Sequence, residues 1–116
     1  MTAIAFTGTL KYDDGVETIT FSRLFVDDDA IRFDAVTTWD GGPRAGKCSG
    51  WRAVRKGDIY RTNGGRYIKA DGRVSTSLCA LEFRVVNRTE DDLEIKGAWI
   101  EDDEWSFRGT LGRLVL

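Results

Sequence analysis

The sequence predicts an all-β fold, and three observations carry that expectation. Apolar and polar residues alternate with a period of two along most of the chain, clusters of Asp, Asn and Gly punctuate the alternation, and a single proline accompanies no window of helical 3.6-residue periodicity. Alternation sends every second side chain to one face of a strand, the pattern of a sheet with one dry and one wet side.

Taken in order, Ile4, Phe6, Gly8, Leu10 and Tyr12 share one face of a first strand that ends at Asp13-Asp14-Gly15. Ile19, Phe21 and Phe25 mark a second, turning at Asp27-Asp28-Asp29. Ile31, Phe33, Ala35 and Trp39 give a third, followed by the glycine-rich loop 40–46. Residues 47–55 read as a fourth strand. Lys56-Gly57 and Asn63-Gly64 then read as two tight hairpin turns leaving short strands near 58–62 and 65–70. Cys79, Leu81, Phe83 and Val85 face one way in the next strand, Leu93, Ile95, Gly97 and Trp99 in the one after, and Trp105, Phe107, Gly109 and Leu111 in the last.

So many short antiparallel strands must close into a barrel or stack as two layers. Three of them carry glycine at the centre of the inward face, at Gly8, Gly97 and Gly109. An interior glycine weakens a strand unless the strand bends there or something approaches it closely. The segments FTGTL (6–10) and FRGTL (107–111) are nearly identical, which suggests neighbouring positions where a barrel closes. A meander with nine strands would bring its first and last strands together in parallel, whereas eight close antiparallel. One central hairpin is therefore a bulged excursion, or the fold is an open sandwich. The expected architecture is a single antiparallel meander over 1–116, and it resembles the small avidin-like and lipocalin-like up-and-down barrels at the level of architecture, with no family motif to carry over.

Composition narrows the chemistry. At 41% hydrophobic and 31% charged residues the chain reads as a globular protein. No histidine is present, which removes the commonest general acid-base group and most metal ligands, and the balance is against an enzyme. Cys48 and Cys79 are too few and too far apart for a disulfide scaffold or a CxxC motif. With no signal-like start and no apolar run of membrane-spanning length, a cytoplasmic protein without membrane contact is expected. The segment 41–48 (GGPRAGKC) approaches a phosphate-binding loop, but cysteine stands where that motif needs Ser or Thr and no helix follows. Acidic turns at 13–14, 27–29, 90–92 and 101–104 have the ligand type that calcium takes, although solvated turns are the commoner use; no cofactor or metal is expected.

Charge is uneven. Arg44 to Arg73 holds nine basic residues against Asp58 and Asp71, a net +7, and the rest of the chain holds 8 basic and 17 acidic residues, a net −9. Such asymmetry points to an anionic partner. The expected hairpins place Val54 opposite Ile59, Arg52 opposite Arg61, Ile59 opposite Ile68, Tyr60 opposite Tyr67, and Arg61 opposite Arg66. Arg52, Arg61 and Arg66 then form a row on one face, with Trp51, Tyr60 and Tyr67 on the other. If the aromatics point inward, the arginines form an external basic stripe; if Val54, Ile59 and Ile68 do, the arginines line a cavity. The favoured expectation is a binding barrel whose interior or mouth takes a small, partly apolar anion. Arg52, Arg61 and Arg66 would orient its charge, and Trp39, Trp99 and Trp105 would supply apolar walls. The alternatives are a module docking an acidic protein or nucleic acid on the basic stripe 44–73, nucleic acid being the less favoured of the two because charge and aromatic stacking fall on opposite faces, and an enzyme that works without histidine. Homodimerisation of a basic patch on an acidic one is a further expectation.

Overall fold

The computed structural model describes residues 4–38, 45–62, 67–69, 72–74, 79–101 and 103–114. Its strands are β1 (Ala5–Tyr12), β2 (Thr18–Val26), β3 (Ala30–Thr38), β4 (Ala45–Lys56), β5 (Ile59–Thr62), β6 (Tyr67–Ile68), β7 (Ala80–Arg88), β8 (Asp92–Ile100) and β9 (Glu104–Arg113). Each pairs antiparallel with its neighbours around a ring, and β9 returns to β1 to close it. The result is the closed up-and-down barrel that the alternation predicts.

The strand count resolves at the centre. Ala53 pairs with Thr62 on β5, and Cys48 pairs with Tyr67 on β6. Going back from Ala53 to Cys48 along β4 covers the same number of residues as going forward from Thr62 to Tyr67. β5 and β6 therefore hold one register on β4 and act as two segments of one barrel strand, which makes the barrel eight-stranded. Asn63-Gly64, where a second hairpin is expected, lies outside the described residues, but the strands on either side pair with the long β4 and not with each other. Ile59 thus does not meet Ile68, nor Tyr60 Tyr67. Arg66 lies outside the described residues.

The preceding turn is real but shifted by one residue. Lys56 pairs with Ile59, so the turn is Gly57-Asp58, with Gly57 at φ 67° in the left-handed region that primed hairpin turns require at their first central position. Val54 consequently faces Arg61, and Arg52 is a diagonal neighbour of Arg61 on the same face.

Bulges in β2 and β4 change which of their residues point inward. Ser22 is an extra residue in β2 relative to both β1 and β3, so Phe21 and then Leu24 and Val26 are buried while Phe25 turns outward and is only half-buried. The expected inward Phe25 is corrected by that one insertion. In β4 an extra residue at Ser49-Gly50, with Gly50 at φ 65°, lets both Cys48 and Trp51 point inward.

The interior is filled by side chains. Phe21 packs edge-on against Phe33 at 5.6 Å and Phe83 at 5.8 Å between ring centres, and Phe83 meets Phe107 at 6.0 Å. Trp51 stacks on Trp99 at 6.1 Å, and Tyr67 meets the Trp99 ring edge-on. The closure seam explains the paired pentads. FTGTL and FRGTL lie antiparallel on the adjacent strands β1 and β9. A side-chain carbon built on Gly8 would lie 2.9 Å from the Leu111 side chain, and one on Gly109 would lie 2.6 Å from Leu10. Each leucine fills the space that the other strand's glycine leaves, so these glycines serve close packing of the barrel wall.

Candidate functional site

The sequence-expected site residues are not brought together. Trp51, Tyr60 and Tyr67 are buried, and Arg52 and Arg61 lie on the outer face. Of the two arrangements open in the sequence, the aromatics therefore point inward. Arg61 is engaged by Glu82 on β7, and Arg52 stands directly opposite Arg32 on β3. Trp99 has 0% of its surface exposed and its indole N–H donates to Glu101 Oε1 at 3.3 Å. Trp105, its partner across β8 and β9, is half-buried at the barrel end. Trp99 and Trp105 are thus parts of the packed interior and its edge, and the external arginines do not face them across a cavity. Trp39 lies outside the described residues, as does Arg66.

Other expectations for chemistry resolve similarly. Lys47 and Cys48 sit within strand β4, so the GK pair of the loop-like motif does not open a helix. Burial pushes the Cys48 thiol up, and burial pushes that of Cys79 up to about 11, which leaves both thiols protonated near neutral pH and poor nucleophiles. The acidic turns are built from their own carboxylates. Asp14 Oδ1 accepts from the backbone N–H groups of Val16 and Glu17, and Asp27 Oδ1 accepts from those of Asp29 and Ala30. These backbone hydrogen bonds hold the Asp27 carboxyl below its usual range. With eight strands the 27–29 and 101–103 turns fall at opposite ends of the barrel, and among the described residues no group of acidic or cysteine side chains is placed to hold a metal.

What the structure does bring together is a row of cations. Along each of four adjacent strands, period-two alternation puts a basic residue outward beside an inward apolar residue or glycine: Lys11 after Leu10, Arg84 after Phe83, Lys96 after Ile95, and Arg108 after Phe107. The register then lines them up, since Lys11 pairs with Arg108, Arg108 with Lys96, and Lys96 with Arg84. At the usual strand spacing, four side chains across four strands span about 14 Å. Like charges directly opposite in a ladder repel. Relief is partial: Arg84 meets Asp58 at 3.3 Å and Arg108 meets Glu94 at 4.0 Å, both exposed, while Lys11 and Lys96 take part in no ion pair among the described residues.

Beside the row the outer wall dips. Glu82, Ala98 and Ser106 pair in the next row, and the Asp13 N–H donates to the Ser106 carbonyl at 2.8 Å. Small side chains at Ala98 and Ser106, with Gly97 between them and the cations, leave an open groove of about 400 Å³. That is the lower range of small-ligand sites.

Sequence reasoning missed this row because it depends on the register of four strands at once. Summing charge along the chain favoured 44–73 and hid single cations spaced 12 residues apart, as Arg84, Lys96 and Arg108 are. The available signal was the 101–103 turn, whose register sets Lys96 opposite Arg108.

No protein-family model matches the chain, and no curated protein matches it. Among solved structures, the solution NMR structure of the de novo designed TMB2.3 superposes on 99% of this chain and 95% of its own, with a TM-score of 0.62 and 9% identity. At that identity the likeness is one of fold.

Proposed function

We propose that this barrel is a binding protein that holds a small, partly apolar anion on its outer wall, in the groove beside the Lys11–Arg108–Lys96–Arg84 row. The row is the observation that carries the reading. Four cations placed opposite one another cost sheet stability by mutual repulsion, and an anion lying along them would relieve it. The groove floor at Gly97 and Ala98, with Ile59 at its rim, offers apolar contact for the rest of the ligand. The filled interior argues against an internal ligand, and the charged outer wall suits water better than the apolar band of a lipid-facing barrel.

The test is thermal unfolding with a panel of small carboxylates and phosphates at low and high salt. A ligand that binds only the folded chain raises the midpoint, and screening weakens the effect at high salt. The double substitution Lys96→Ala with Arg108→Ala removes the shift on this reading. A shift that survives it places the anion elsewhere.

A second reading keeps the acidic-protein partner. Arg32 and Arg52 are directly opposed on the outer face of β3 and β4, and Arg32 also lies over the Phe25 ring at 5.9 Å. A cationic patch with a half-exposed aromatic beside it fits a macromolecular contact, and salt-sensitive binding lost in Arg32→Glu would support that surface over the groove.

A further inference from the structure

The groove carries charges of both signs, set in successive outward rows. Lys96 and Arg108 stand on one side of the floor formed by Ala98 and Ser106. Asp13 and the Arg61-bound Glu82 flank that floor in its own row, and Glu104 stands one row beyond it along β9. Neither Asp13 nor Glu104 takes part in an ion pair among the described residues, and neither does Lys96. Glu104 lies two outward rows from Lys96 and Arg108, about 14 Å along the strand and beyond direct ion-pair reach.

Opposite charges that fail to meet across a gap with a small-residue floor are complementary to a molecule bearing both. We infer that the groove takes a zwitterion with an extended apolar spacer, its carboxylate or other anionic head on Lys96 and Arg108 and its ammonium toward Asp13 and Glu104. This rests on the anion-binding reading above and adds the second charge. The orientation is fixed by electrostatics: reversing the ligand would set its ammonium against the cation row and its anion against two carboxylates. The spacer crosses Ala98, whose side chain is nearly buried and offers carbon to it. A purely anionic ligand of the same length would place its tail, or a second negative head, against Asp13 and Glu104.

The experiment titrates the full chain with ε-aminocaproate, caproate and hexylamine at matched ionic strength, read by backbone amide chemical shifts. ε-Aminocaproate is expected to shift the amides of Gly97, Ala98 and Ser106 and to bind tighter than caproate by about two- to fivefold, the range an exposed ion pair provides. Asp13→Asn combined with Glu104→Gln is expected to erase that advantage, and because both positions are exposed, the folded spectrum serves as the control. If caproate binds the unmodified chain as tightly as ε-aminocaproate, the inference is overturned and the anion-binding reading stands. If hexylamine alone shifts these amides, or none of the three does, both are overturned.

Discussion

The inner and outer faces of the same strands obey opposite rules. Inside, consecutive inward positions are aromatic or branched residues in contact, with polar side chains such as Thr37 and Thr62 hydrogen-bonded: Thr37 Oγ1 lies 3.5 Å from the Tyr67 hydroxyl, and Thr62 Oγ1 accepts the Leu81 N–H. Outside, residues one position away place four like charges in line and leave two of them without an ion pair among the described residues. The inner face is arranged for stability, whereas the outer row works against it. Unfavourable local arrangements that persist in a folded protein are where function is best sought.

The largest effects are expected on the inner face. Trp99→Ala removes a fully buried ring that stacks on Trp51 and contacts Tyr67, and a loss of about 3–5 kcal/mol is expected in chemical denaturation. A loss below about 1 kcal/mol would mean that the interior is not tightly packed, and the case for a filled barrel would fail. Next in size is Gly97→Ala. The added methyl would lie 2.5 Å from the Glu82 carbonyl oxygen and 2.6 Å from the Phe107 ring, so overpacking of about 1–3 kcal/mol is expected by the same measurement.

A smaller effect distinguishes the faces by pH. The Cys79 thiol is raised to about 11 by burial from an ordinary value of 9.0. Between those values the unfolded chain has lost the proton and the folded chain keeps it, so stability should be full below pH 9 and fall as pH rises through about 11. Cys48, whose thiol burial also pushes up, contributes over the same range, so Cys79→Ala should reduce that slope without abolishing it. An unchanged slope would assign it to other groups.

The residues themselves show which parts of this were legible in the sequence. FTGTL and FRGTL indicated the closing seam because their similarity reflects reciprocal packing, with Leu111 against Gly8 and Leu10 against Gly109. The inward sets of β1, β8 and β9 were readable because no inserted residue interrupts their alternation. Phe25 was misplaced because a single inserted residue at Ser22 reverses every side chain after it, and nothing in the local composition announces a bulge. The expected pairing of Ile59 with Ile68 and Tyr60 with Tyr67 failed because β5 and β6 both pair with β4 over long range. The basic stripe of 44–73 came from a sum along the chain, and in space part of it is neutralised, as Arg61 is by Glu82. The cation row needs three cross-strand registers together, which no single segment reveals.

The smallest expected stability change carries the most information. Lys96 sits between Arg84 and Arg108, so Lys96→Glu replaces two repulsive neighbours with two attractive ones. On the binding reading, this row is retained at the expense of stability. Measuring denaturation and the ligand-induced rise in unfolding midpoint on the same Lys96→Glu protein tests it most directly. Lys96→Glu is expected to be more stable by about 0.2–1 kcal/mol and no longer to respond to small anions. A variant that is less stable, or one that still responds as the unmodified chain does, would contradict it.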